Sequence, residues 1–171
     1  MNTTNTNLTF QGNPLKVVGK ALSVGAKCPG FTLTGTDMKD VTEANIAGKC
    51  AIIVVVPSLD TPVCSIEVKK FNAEAGSLKN TVVLTVSEDL PFAQKRWCGA
   101  EGVSNVLVAS DYKYRTFGEK FGTWLPDVGL LARSVFVVDS TGVIRHVEYV
   151  TELSAEPNYA AAINAARTSQ G

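Results

Sequence analysis

An α/β fold built around a central mixed β-sheet is predicted by three observations. Two unbroken β-branched runs, AIIVVV at 51–56 and TVVLTVS at 81–87, have the character of strands buried on both faces. Each is followed by a stretch that opens on a proline and carries helical spacing, at 62–75 and from Pro91. The run SVFVVDSTGVIRHVEYV at 134–150 reads as two strands joined at Ser140-Thr141-Gly142, so a hairpin completes the sheet.

The elements can be taken in chain order. LTFQGNPLKVVG is expected to form a small hairpin around Gly12-Asn13-Pro14, and FTLTG from Phe31 alternates like a short strand. Both read as additions ahead of the main sheet. Within the helix predicted at 62–75, Val68, Phe71 and Ala75 mark one apolar stripe. A short helix is expected over 91–98, stopped by Gly99, followed by a strand at 105–109 and a helix at 114–121. An Ala-rich helix at 156–167 closes the chain. This is the order of a thioredoxin-like fold with a central mixed sheet, an N-terminal β-hairpin extension and flanking helices. Right-handed crossovers then bring the helix N-termini to the carboxyl edge of the parallel strands, where such sheets place their chemistry.

Composition narrows the function classes. The 171 residues, with no internal repeat and no low-complexity linker, predict one domain spanning 1–171. Sixteen basic residues balance sixteen acidic ones, so no global field draws the chain to nucleic acid or an anionic membrane. The opening MNTTNTNLTFQG lacks the basic and apolar regions of a secretory signal, and the expected compartment is the cytoplasm. Four cysteines, with no CxxC pair and His146 as the sole imidazole, argue against a zinc site.

Cys64 is the residue that asks for an explanation. With Thr61 as N-cap and Pro62 in the first helical position, Cys64 is the third helical residue. Backbone N–H groups and the helix dipole favour an anion there. The same helical face carries Val68 and Phe71, so the sulfur is expected to be sheltered. Shelter alone disfavours a thiolate, and a reactive Cys64 needs a positive neighbour. Arg133 is the candidate, because a strand from 134 antiparallel to 51–56 would start beside the end of the latter. Taken singly, Cys64 reads as a core cysteine and Arg133 as a surface ion-pairing residue. The proline and threonine around the helix start tilt the reading towards chemistry.

Pro57, Thr61 and Cys64 match PxxxTxxC, and PSLDTPVC resembles the thiol peroxidase branch of the peroxiredoxin family. DLPFAQKRWCGAEG at 89–102 resembles the segment that carries the resolving cysteine there, and NTVVLTVS and LLARSVFVVD are similar to family segments as well. The resemblance runs from TFQGNPL to the last helix. It implies that Cys64 attacks the peroxide O–O bond and becomes a sulfenic acid. Thr61 would hold the peroxide, Arg133 would stabilise thiolate and developing oxyanion, and Pro57 would shield the pocket from water. Cys98 would then close an intrachain disulfide that thioredoxin reduces. The resemblance further implies hydrogen peroxide and alkyl hydroperoxides as substrates, a homodimer, and no metal, haem or flavin. Cys98 also falls in the last turn of its predicted helix, where the dipole disfavours a thiolate, as suits a residue used second. A structural cysteine beside Trp97 is the alternative.

Helical rise places Cys98 roughly 10 Å along its helix from the carboxyl edge. A disulfide needs Cα atoms within about 7 Å, so local unwinding is predicted before the two sulfurs can bond. Cys28 and Cys50 are expected to be buried small residues, Trp124-Leu125-Pro126 a core or pocket cluster, and His146 a packing residue. Other readings are a redox-sensing or chaperone-like binding protein using the same cysteine, and a one-cysteine peroxidase. A cysteine hydrolase is disfavoured, because His146 is the sole candidate base.

Overall fold

The computed structural model describes residues 7–169; residues 1–6, part of the polar opening stretch, and 170–171 lie outside the described residues. Eleven strands occur among them: β1 (Thr9–Phe10), β2 (Asn13–Pro14), β3 (Thr32–Gly35), β4 (Asp40–Thr42), β5 (Cys50–Val55), β6 (Thr81–Ser87), β7 (Leu107–Ser110), β8 (Trp124–Leu125), β9 (Leu130–Leu131), β10 (Ser134–Val138) and β11 (Ile144–Tyr149). The α-helices are α1 (Pro62–Ala75), α2 (Pro91–Glu101), α3 (Phe117–Lys120) and α4 (Tyr159–Thr168).

Seven strands form the main sheet in the order β11-β10-β5-β6-β7-β3-β4. The pairs β5–β6 and β6–β7 are parallel, whereas β10 runs antiparallel to both β5 and β11. All six residues of β5 are buried, as a β-branched strand covered on both faces requires. Alternate side chains of the strand serve two cores. Ile52, Val54 and Val56 pack with Val68 and Phe71 of α1, Trp97 of α2 and Ala162 of α4. Ala51, Ile53 and Val55 pack with Phe31, Phe117, Phe121 and Phe136 on the other face. Phe117 and Phe121 stack with ring centroids 4.0 Å apart, and Phe31 meets Phe117 edge-on at 5.9 Å.

Several expectations are corrected. β3 pairs with β7 and β4 pairs with β3, so this segment belongs to the main sheet rather than preceding it. The N-terminal hairpin turns at Gln11 and Gly12, with φ of 51° and 79°, while Asn13 and Pro14 belong to its second strand. This pair of positive φ values suits the twist of a two-residue hairpin. Helix α2 passes through exposed Gly99 and stops at Gly102, whose φ of 67° lets its N–H turn back to the Cys98 carbonyl. The helix expected at 114–121 is only α3. Asp111 accepts hydrogen bonds from the N–H groups of Thr116, Phe117 and Gly118, and Arg115 adopts φ 52°, so a turn takes up its first half. The last helix starts later than expected because Asn158 caps it, accepting from Ala161 N–H at 3.0 Å.

Candidate active site

The carboxyl ends of β5 and β6 hold the site. After Val56 donates its N–H to the Val86 carbonyl at 3.0 Å, the chain leaves the sheet at buried Pro57 and enters the loop that precedes α1. Asp89, at the end of β6, fixes this loop: it accepts from Ser58 Oγ at 2.7 Å and from Leu59 N–H at 2.8 Å. Ser87 Oγ donates to the same carboxylate at 2.8 Å. Sequence reasoning gave Asp89 no role beyond the motif that contains it.

Thr61 occupies the N-cap position, with extended backbone, and Pro62 the first helical position. The threonine side chain does not cap the helix, contrary to expectation. Its hydroxyl donates instead to the Ser58 carbonyl at 2.9 Å, a local backbone acceptor three residues back. The first-turn N–H groups are therefore left uncapped by this side chain. Cys64 follows in that first turn, fully buried, with Val68 and Phe71 on the same inner stripe.

The antiparallel register delivers Arg133 to this place. Ser134 pairs with Val55, so the preceding residue lies at the end of β5, next to the start of α1. Arg133 is buried at 2% exposure, and its guanidinium faces both Glu67 and the Cys64 side chain. It donates from Nη1 to Glu67 Oε2 at 2.5 Å, and from Nε and Nη2 to the Leu153 carbonyl at 3.0 and 2.9 Å. Burial works against the cation, but Glu67 and Cys64 more than compensate and hold the guanidinium protonated. The surface ion-pairing alternative for Arg133 is thus replaced by a buried pair.

Glu67 is a site residue that the sequence reading missed. It is wholly buried, one turn after Cys64, and burial pushes its carboxyl up to about 7 despite the adjacent Arg133. Glu67 Oε1 has no hydrogen-bond partner. The available signal was a glutamate on the inner stripe of an amphipathic helix, which needs a buried partner.

The remaining candidates are more scattered. Cys98 is half-buried on α2, against the core that contains Trp97, and burial pushes its thiol up. All four cysteines are free thiols. Cys50 is buried beneath α4, where its Sγ lies 3.8 Å from the Ala166 carbonyl, and burial raises its pKa. Cys28 is half-buried rather than buried, and its thiol is pushed up to about 11 by burial and the nearby Glu43. Trp124 and Leu125 form a small hairpin with β9, with Leu125 buried and Pro126 exposed. His146 is half-buried on β11, remote in the sheet from the Cys64 turn, and burial lowers its pKa. No group of three or more metal-ligating side chains is found among the described residues.

Fold and site together define a thioredoxin-like thiol protein in which one buried cysteine at a helix start faces a buried guanidinium. The Redoxin family model matches residues 23–163. Thiol peroxidases of Listeria monocytogenes serotype 4b and Streptococcus pneumoniae are each 51% identical to this chain, over 95% and 94% of it and 98% of their own lengths. The crystal structure of a peroxiredoxin-like protein from Aquifex aeolicus superposes with a TM-score of 0.90 at 38% identity, covering 98% of this chain and 99% of that one. The chain belongs to the Redoxin family, in its thiol peroxidase branch.

Proposed function

We propose that the protein is a thiol-dependent peroxidase that reduces hydrogen peroxide and alkyl hydroperoxides through Cys64 and Cys98. One observation carries this reading: Cys64 lies in the first turn of α1 and faces the buried Arg133 guanidinium. A cysteine so placed is set up as a nucleophile, and the same cation can stabilise charge appearing on oxygen. The Cys64 thiolate attacks the nearer peroxide oxygen, an S–O bond forms and the O–O bond breaks. The leaving alkoxide or hydroxide takes up a proton, and Cys64 is left as a sulfenic acid. Because the Thr61 hydroxyl hydrogen is committed to the Ser58 carbonyl, its oxygen is free to accept the peroxide O–H and orient it. Buried Pro57, which has no N–H, closes the pocket against water.

In the second step Cys98 attacks Cys64 Sγ, so that an S–S bond forms, the S–O bond breaks and water departs. The two thiols of thioredoxin, in the reducing cytoplasm, then return both cysteines to the thiol state by disulfide exchange. Family resemblance supports that reductant, a homodimer and a single domain across 1–171. One equivalent of hydrogen peroxide added to the reduced protein tests the scheme through peptide mass spectrometry. A Cys64–Cys98 disulfide, with Cys28 and Cys50 free, is expected. Oxygen retained on Cys64 alone would favour one-cysteine turnover, and an unmodified Cys64 would end the proposal.

A further inference from the structure

The two ends of α2 are held in different ways. At its N-terminal end Pro91 and Gln94 are buried, and Gln94 Nε2 donates to Ser87 Oγ and to the Ala109 carbonyl, each at 3.0 Å. Trp97 adds an 8% exposed indole to the core. Beyond Cys98 the character changes: Gly99, Ala100, Glu101, Gly102, Ser104 and Asn105 are exposed, and Val103 alone is buried. A cleft of about 180 Å³ opens beside Cys98 and Ser104.

This exposed half is fastened to α1, the helix that begins with the Cys64 turn. Lys69 pairs with Glu101. Asn72 Oδ1 accepts the N–H groups of Ser104 at 3.2 Å and Asn105 at 2.8 Å, and Asn105 Nδ2 donates to the Asn72 carbonyl at 3.5 Å. Asn72 lies eight residues beyond Cys64, which is about 12 Å along the helix at 1.5 Å per residue. The contacts therefore clip the segment after Cys98 to α1 well away from the sulfur that Cys98 has to reach.

On the two-cysteine reading given above, we propose that Asn72 and the Lys69–Glu101 pair form a latch that sets how fast Cys98 reaches oxidised Cys64. They are positioning residues, since none touches peroxide or either reacting sulfur. Exposed polar contacts open at little cost, whereas the buried anchors Gln94 and Trp97 do not. Unwinding therefore starts at Gly102 and runs back to Cys98, with Trp97 as the fixed end. The latch also decides a competition. While it stays closed, a second hydrogen peroxide molecule can oxidise the Cys64 sulfenic acid to sulfinic acid, releasing water and leaving Cys98 without a target.

Stopped-flow fluorescence and rapid quenching with mass spectrometry, on reduced full-length protein mixed with hydrogen peroxide, separate the two steps. Asn72→Ala should speed disulfide formation about five-fold, the equivalent of one ordinary hydrogen bond. The sulfenic-acid step should keep its rate, and the peroxide concentration that inactivates half the enzyme should rise by a similar factor. Asn72→Asp keeps an acceptor for both N–H groups and should stay near wild type. Lys69→Glu should speed the second step about two-fold, and the Lys69→Glu/Glu101→Lys swap should restore it. This exposed pair keeps the test open even if Asn72→Ala folds poorly. An unchanged or slower second step in Asn72→Ala, or no rescue by the swap, overturns the latch. If wild type forms no Cys64–Cys98 disulfide, the two-cysteine reading falls and the latch with it, a failure recognisable because it occurs without any substitution.

Discussion

Cys50 and Cys64 stand at opposite ends of the same strand, and each is at most 1% exposed. Cys50 opens β5 and meets the carbonyl of Ala166, in the last turn of α4. Cys64 follows the other end of the strand and lies in the first turn of α1, facing Arg133. One sulfur therefore sees the negative end of a helix and the other the positive end of a helix plus a guanidinium. Burial is common to both, so under the proposed function the charges packed against each sulfur, and not burial, are what would set the two thiols apart. The largest test of that contrast is removal of each sulfur. Cys64→Ser should lower peroxidase kcat/KM by more than about a thousand-fold, because the hydroxyl stays protonated and cannot take over the sulfur redox step. Cys50→Ser should stay within about two-fold. A thioredoxin-coupled peroxide assay on both variants measures the difference, and comparable losses would erase the distinction.

The next test leaves Cys64 in place and removes its cation. Arg133→Ala should cost about 100- to 1,000-fold in kcat/KM, the size typical of a lost oxyanion donor. It should also destabilise the fold by about 3–5 kcal/mol, because Glu67 would remain buried without its partner. Adding Glu67→Gln separates the two effects. A neutral amide relieves the stranded carboxyl, so denaturation midpoints should recover in large part while kcat/KM stays low. Recovery of both together would mean that Arg133 serves packing alone.

Much of this contrast was legible in the sequence, and the physical reasons are specific. β5, α1 and β6 carry strong periodicity and a Thr-Pro start, so their positions follow from local pattern. The placement of Arg133 followed from one topological step, an antiparallel β10 against β5. What escaped was decided by tertiary contacts. β4 is three residues long and joins the sheet only through β3, leaving too few positions for an alternation to appear. Gly99 looked like a helix stop, but it faces solvent inside α2, and the left-handed residue is Gly102. Glu67 escaped because a glutamate on a helix is ordinarily read as solvated. Its partner is 66 positions away and comes into reach only through the sheet.

The smallest expected effect lies at the same carboxyl edge and sharpens what a helix start can do by itself. Asp111 accepts three N–H groups at the start of α3, at 3.1–3.2 Å, yet its carboxyl is raised because burial outweighs them. Glu88 beside it is pushed up to about 8, first by burial and then by the Asp111 charge. Burial thus outweighs three backbone N–H groups at this edge, whereas Cys64 has the Arg133 guanidinium beside it as well as a helix start. The same carboxyl gives the fold a pH dependence. The unfolded chain releases the Glu88 proton at about pH 4.5, whereas the folded chain keeps it to about 8, so the folded state binds more protons in between. Stability from this group is complete below about pH 4.5, declines as pH rises and levels off above about 8. Glu88→Gln stays neutral throughout and should leave the melting temperature at pH 4 unchanged. At pH 8.5 it should raise it by several degrees, because the wild-type carboxyl is then charged where the fold disfavours it. Calorimetry at the two pH values decides the matter: equal shifts at both would mean that the side chain's shape, and not its proton, sets the difference.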